Sequence, residues 1–263
     1  SVSAHMREAL RSIIRMPRYS VHARRSTMVS IFLVLLACAR MRHALGATLI
    51  RSWDFKNATS DTIIDSIGGA AATLESGNGG PPPVRAATGI QMFGTGPTAS
   101  DTNAGGFIAL DAVGNLTALP MGGEMTIEVV GKFNAWNYWA PLFAWGTLGS
   151  ATDEISFGGV DQAEILGFTV YKGVGASSQS QHIWTQAGGG NNLGQQAHLV
   201  ATVQNAAMRI YIGGVLKAES TAGIEPNTVV RPNCYIGRSM KSDDGYFAGE
   251  VSSFKLYDGA MTQ

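Results

Sequence analysis

The chain has 263 residues, 45% apolar and only 14% charged, with 33 Gly and 9 Pro. It holds enough apolar matter for a sizeable core and too little Gly plus Pro for a low-complexity chain, which would reach ~25%. The zero formal charge hides an asymmetry: residues 1–47 hold eight Arg, no Lys and one acid, Glu8, so they carry +7 and the rest carries −7. An acidic body excludes a nucleic-acid partner, whose phosphates are met by Lys and Arg.

Residues 1–47 read as a leader and 48–263 as a single domain. Val29–Ala39 is a largely apolar run of eleven residues, with Arg24 and Arg25 as its positive flank. A bilayer span needs ~20 apolar residues, so the run is too short to cross and has the length of a signal-peptide core. Small-x-small sites follow at Ala37-Cys38-Ala39 and Ala44-Leu45-Gly46, and the arginines between them favour cleavage after Ala39. The expected location is therefore secreted, extracellular, with no stable membrane insertion once the leader is removed. The alternative is organelle-directed, because Met6, Leu10, Ile13 and Ile14 line one helical face beside Arg7, Arg11 and Arg15, as in a transit peptide.

From Leu49 onward no 3.6-residue apolar period exists. Short β-rich runs recur between Gly, Asn, Asp and Ser clusters: Leu49–Phe55, Ala70–Leu74, Ile90–Phe93, Phe107–Leu110, Met125–Phe133, Leu142–Trp145 and Ile155–Phe157. They continue as Ile165–Tyr171, Gln181–Thr185, His198–Val203, Met208–Ile212, Cys234–Ile236 and Val251–Tyr257. About a dozen short strands without helices predict an all-β antiparallel sandwich. Met208, Ile210 and Ile212 share one face, and so do Ser252, Phe254 and Leu256. Gly213-Gly214 predicts a two-residue hairpin, since both turn positions need φ > 0. Gly77–Pro83 is the plainest loop.

Chemistry is sparse. With Cys38 in the leader, Cys234 has no internal disulfide partner and reads as a small apolar strand residue. His182 and His198 are the only histidines of the body, too few for a His/Cys zinc site. No HExxH, GxSxG, P-loop or EF-hand pattern occurs. Glu124/Glu128 and Asp161/Glu164 lack the spacing of strand-borne glycosidase carboxylates and read as solvated. Asn57-Ala58-Thr59 and Asn115-Leu116-Thr117 make Asn57 and Asn115 N-glycosylation acceptors in a secreted chain.

The order of segments resembles the laminin G-like jelly roll of the concanavalin A-like lectin/glucanase superfamily, over residues 49–263. Gln196–Thr202 is similar to its Trp-x-His-Val-Ala strand, Met208–Gly214 to its Leu-Tyr-Val-Asp-Gly hairpin, and Tyr235–Arg238 to its Ile-Gly strand. Phe247–Tyr257 resembles the closing strand, Trp53–Phe55 with Asp65–Gly68 the opening strand and its turn, and Met125–Val130 the Phe-Thr-Ile strand. Gln196, Gly213 and Ser252 depart from the pattern, and the last two remove carboxylates. The resemblance implies a jelly-roll β-sandwich and one structural Ca²⁺, with Asp65 the first metal candidate and Asp101 and Asp111 weaker ones. The competing role for Asp65 is to cap its turn.

The function so implied is a secreted, non-catalytic module that binds a glycan or glycoprotein weakly through rim loops. The alternatives are a structural or adhesion protein of a wall or matrix and a glycoside hydrolase. Sugar rings stack their C–H faces on aromatic rings while amides take the hydroxyls. Trp136, Tyr138 and Trp139, beside two Asn, form the candidate platform. Trp184 and the Gly188–Gly194 loop with Asn191 and Asn192 form a second wall. The competing reading is that these rings fill the core, which position within a strand run favours for Trp145 and Trp184.

Overall fold

The computed structural model describes residues 46–56, 58–96, 103–113, 121–161, 164–174, 179–189 and 193–261, the side chains of 111–113 and 161 excepted. The leader, Asn57, Asp101, Asn115, Asn191, Asn192 and the Asp111 side chain lie outside the described residues.

Sixteen strands and no helix occur among the described residues. They are β1 (Thr48–Asp54), β2 (Thr62–Ile64), β3 (Ala71–Gly77), β4 (Val84–Ala86), β5 (Gly89–Phe93), β6 (Gly105–Val113), β7 (Met125–Ala135) and β8 (Pro141–Gly146). The second half adds β9 (Ile155–Asp161), β10 (Ile165–Lys172), β11 (Gln179–Trp184), β12 (Gln196–Gln204), β13 (Ala207–Ile212), β14 (Val215–Ser220), β15 (Asn233–Ile236) and β16 (Ala248–Asp258). One sheet runs β14-β13-β12-β7-β16-β5-β4, with β1 also on β16. The other runs β11-β10-β9-β8-β15-β6-β3-β2. All strand pairs are antiparallel, as a jelly-roll sandwich requires.

The two sheets face each other across one core, because alternate side chains of each strand point inward. Ile127 and Val129 of β7, Met208 and Ile210 of β13, and Leu166, Phe168 and Val170 of β10 all lie in it, with Trp53, Trp145 and Phe254. The Gly213-Gly214 hairpin joins β13 to β14 with φ of 58° and 78°. β2, β4 and β14 carry mostly exposed side chains, so no apolar alternation marks them in the sequence. Cys234 is buried in β15.

The closing strand corrects the expected alternation. A bulge between Val251 and Ser253 shifts the register, so Val251, Phe254 and Leu256 face the core. Ser252 is buried at the bulge, and its hydroxyl accepts a 2.6 Å hydrogen bond from the Gln196 amide. Two of the three positions that depart from the resembled pattern, Gln196 and Ser252, thus pair with each other.

Arg231, 1% exposed, ties the connection before β15 to the sandwich. Its guanidinium donates to the carbonyls of Asp153 (2.5 Å), Met121 (2.5 Å) and Asn227 (2.9 Å) and lies over the Trp145 ring. Burial pushes its pKa down to about 10, with Asp153 opposing.

Candidate functional site

The outer face of the second sheet carries the site. In β10 the residues between the core positions, Gly167, Thr169 and Tyr171, point outward. The register sets Trp184, His182 and Ser180 of β11 opposite them, and Gly158 and Ser156 of β9 opposite Gly167 and Thr169. Gly167 lets Val160 and the Trp184 ring close over it: a Cβ there would overlap Val160 and press on the Trp184 ring.

Rings form a continuous file along this edge. Tyr138 meets Trp139 at 6.4 Å, Trp139 meets Trp184 at 6.2 Å, Trp184 meets His182 at 6.2 Å, and His182 meets Tyr171 at 5.5 Å. Lys241 ends the file, its ammonium 5.2 Å from the Tyr171 ring centroid and 3.4 Å from the phenol oxygen. Trp139 has φ of 45°, a left-handed conformation that costs a side-chain-bearing residue ~1–2 kcal/mol. Its turn is held in place: Tyr138 N–H donates to Gly96, Gly245 N–H to Tyr138, and the Asn137 amide to Tyr246 at 2.7 Å. Trp184, by contrast, stands 50% exposed.

Beside the file lies a shallow groove with a cavity volume of only about 20 Å³, open to solvent. Trp139, Gly158, Gly167, Thr169 and Tyr171 line one side; Glu154, Ser239, Lys241 and Asp244 line the other. Glu154 ends the turn before β9, where its carbonyl accepts from Tyr171 N–H at 2.7 Å. The side chain is buried, and its Oε2 has no hydrogen-bond partner. Burial pushes its pKa up to about 7, with Lys241 opposing and Asp244 adding. Asp244, from the 237–247 connection, is raised by burial to about 6, against a 2.5 Å hydrogen bond from the Ser239 hydroxyl. Burial also lowers His182 below the ordinary histidine value, and Lys241 adds to this. For Lys241 burial works downward, but Tyr171, Glu154 and Asp244 outweigh it and hold the ammonium charged. The groove therefore joins flat apolar rings to donors and acceptors whose charge is nearly balanced near neutral pH.

The sequence-derived site is brought together in part. Tyr138, Trp139 and Trp184 follow one another in the ring file, and Trp139 among them lines the groove. Trp136 does not: it is 7% exposed and stacked on Phe133 at 4.0 Å, so the platform reading is corrected to core for that ring. Trp145 is core as its strand position implied, whereas Trp184 is not, since Ile183 takes the inward position. Glu154, Tyr171, His182, Lys241 and Asp244 were not foreseen. Glu128 is also not solvated: it is buried on the outer face of the first sheet among Lys255 (2.9 Å), Tyr257 (2.6 Å) and His198 (3.2 Å). Burial alone would raise its carboxyl, and the Tyr257 and Lys255 hydrogen bonds outweigh that and hold it below the ordinary value.

Asp65 does not suit a cation. Its carboxylate accepts from the N–H groups of Ser52 (2.6 Å), Ile67 (3.0 Å) and Gly68 (2.6 Å) and faces Arg51 at 3.5 Å. Calcium wants six to eight oxygens, and here donors surround the carboxylate instead. No group of three or more His, Cys, Asp or Glu that could hold a metal occurs among the described residues. Nor, among them, is any helix long and apolar enough to cross a membrane.

Residues 102–263, more than half of the chain, match a laminin G-type family model described as the concanavalin A-like lectin/glucanases superfamily, and the chain belongs to that superfamily. Among solved structures, domain 4 of an extracellular arabinanase from Geobacillus stearothermophilus, in complex with arabinotriose, aligns with a TM-score of 0.56 at 19% identity, over 82% of this chain and 95% of that one. The binding domain of botulinum neurotoxin DC, in complex with rat synaptotagmin II, aligns at 0.51 and 16%, over 81% of this chain and 49% of that one. A Trypanosoma rangeli sialidase aligns at 0.50 and 15%, over 80% and 30%. These likenesses show a shared fold. No curated protein matches the chain.

Proposed function

We infer that this protein is a secreted, non-catalytic carbohydrate-binding module that stacks a sugar on the ring file and points its hydroxyls at the shallow groove beside it. The observation that carries the reading is the exposed Trp184 edge-on at 6.2 Å to Trp139, which lines a groove shared with Glu154, Lys241 and Asp244. Rings take the C–H faces of a sugar, while Thr169, Glu154, Lys241 and Asp244 take its hydroxyls. The fold shared with the arabinanase domain solved with arabinotriose supports the same reading. One stacked ring adds ~1 kcal/mol beyond its area burial, so a single site binds at ~0.1–1 mM, or about −4 to −5.5 kcal/mol. Useful attachment then comes from several copies or sites, on a free glycan or on a glycoprotein.

The test is calorimetric titration of arabino-, xylo- and cello-oligosaccharides, supplemented by a glycan array, into the wild type and Trp184→Ala. The half-exposed ring is expendable for folding, so the variant is expected to melt like the wild type and to lose binding. A wild type silent toward every glycan at millimolar concentration, but retained by matrix proteins, would replace this reading with adhesion. A hydrolase reading has one observation in its favour, the Glu154 and Asp244 carboxyls in one groove. Release of reducing ends from a polysaccharide, abolished by Glu154→Gln, would establish it.

A further inference from the structure

The connection between β15 and β16, residues 237–247, crosses the outer face of the second sheet and divides it. On one side lies the groove described above. On the other is a second depression of about 220 Å³, lined by Asn78, Leu148, Arg238, Met240 and Tyr246. Ser239, Lys241 and Asp244 border both, so the two adjoin across a ridge one short loop wide.

Arg238 gives the second depression its chemistry. Its guanidinium carbon sits 4.8 Å from the Phe107 ring centroid and 5.2 Å from that of Tyr235. Phe107, Tyr235 and Tyr246 are themselves buried, and Phe107 and Tyr235 pack edge to face at 5.0 Å. A guanidinium laid on rings is fixed in its plane, and stacking uses its faces without using its in-plane N–H donors. Among the described residues no carboxylate pairs with Arg238 and no acceptor takes its N–H groups. Of the two carboxyls on the ridge, Asp244 is bound by the Ser239 hydroxyl and Asp243 is exposed to solvent. A rigid fork of unspent donors facing a cavity is the arrangement that takes a planar or tetrahedral oxyanion through two parallel hydrogen bonds.

We propose that this second depression is a subsite for an acidic sugar residue, one bearing a carboxylate or a sulfate, so that the ligand of the whole face is an acidic oligosaccharide. The proposal rests on the carbohydrate reading of the adjoining groove and adds a substrate class to it. Arg238 holds the anion, and the ring file on the far side of the ridge stacks the neighbouring sugar.

Matched probes test it: sialyllactose against lactose, trigalacturonate against its carboxyl-reduced form, and a chondroitin sulfate tetrasaccharide as the sulfate arm, each titrated into the wild type, Arg238→Gln, Arg238→Lys and Trp184→Ala. The expected result is that at least one acidic probe binds the wild type ten-fold or more tightly than its neutral counterpart. Arg238→Gln removes that margin while leaving neutral binding within two-fold, and Arg238→Lys, a charge without the fork, keeps only part of it. The margin should also shrink when salt rises from about 0.05 M to about 0.5 M. The carboxylate and sulfate arms show which anion is selected. Equal binding of acidic and neutral probes, or an Arg238→Gln unchanged toward both, overturns the subsite while the groove stands if Trp184→Ala still abolishes binding. A wild type that binds none of these probes, nor any glycan of the wider panel, overturns both. Arg238→Lys, which keeps the aliphatic stem over Phe107, replaces the Gln variant should that one fail to fold.

Discussion

Replacing Glu154 with Gln should make the protein more stable at alkaline pH and leave it nearly unchanged at pH 4. Burial moves the Glu154 carboxyl from an ordinary 4.5 to about 7. In the folded state the group therefore keeps its proton at pH values where the unfolded chain has already released it. Below about 4.5 both states are protonated and nothing is lost. Between about 4.5 and 7 the folded state binds more protons than the unfolded one, so stability falls as pH rises. Above about 7 the loss is complete. That displacement corresponds to ~3 kcal/mol. The group is 3% exposed, so solvent does little to soften the effect. Gln keeps the shape and cannot ionise. Urea unfolding at pH 4 and pH 8.5 is the assay: the variant should gain ~3 kcal/mol over the wild type at the higher pH and ~0 at the lower. Because other titrating groups are common to both proteins, they cancel in the difference. Asp244, raised to about 6, adds to the Glu154 shift, so Asp244→Asn should move the Glu154-dependent loss to lower pH. A wild type and a Glu154→Gln variant that lose stability in parallel between pH 4 and 8.5 would show that this carboxyl is not buried as described.

The other expectations are shorter. Trp136→Ala should cost ~3–5 kcal/mol, lowering Tm by ~6–20 °C in a circular-dichroism melt; a normal melt with lost sugar binding would return this ring to the platform. Arg231→Ala strands the carbonyls of Met121, Asp153 and Asn227 and should cost ~3 kcal/mol or more in urea unfolding; a cost under ~1 kcal/mol would deny that it pins the connection. Chelator should leave Tm unchanged, because N–H donors already engage the Asp65 carboxylate; a fall in Tm restored by Ca²⁺ would reverse that expectation. In a eukaryotic secretory host the full chain should reach the medium and run faster on a gel after deglycosylation, less so in Asn57→Gln and Asn115→Gln; retention in the cytosol or an unshifted band would contradict the leader or the acceptor sites.

The fold was legible where side chains alternate. Met208 and Ile210, Leu166, Phe168 and Val170, and the Gly213-Gly214 turn each carry their structural role in local spacing. β4 was not legible, and of β14 only the hairpin turn before it was, since strands exposed on both faces need no apolar period. The β16 bulge was hidden too: one extra residue at Ser252 changes which side chains face inward, and only the partner strands show where it falls. The site was half legible. Tyr138 and Trp139 announce themselves as neighbouring rings, yet Trp136, two residues earlier, goes into the core because it follows the end of β7. Trp184 was assigned inward by its strand run alone, although Ile183 beside it fits the inward position. Glu154, Lys241 and Asp244 share nothing in the sequence. They meet because the connection into the last strand folds back across the outer face.

The placement of β16 has a consequence for the order in which the chain becomes a protein. This strand borders β7 along its whole length, while its other side is shared by β5 at Ala248–Val251 and β1 at Ser253–Asp258. It is a central strand of its sheet and is synthesised after all fifteen others. Without it, β7 lacks its partner on that side, β5 keeps only β4, and β1 has no partner strand among the described residues. Open strand edges of that kind invite pairing between molecules. Closure comes in one late step that joins the beginning, middle and end of the domain. Loops elsewhere tolerate insertion or trimming, but a stop codon anywhere before Ala248 removes the seam of the sheet and leaves an aggregation-prone chain in place of a shortened domain.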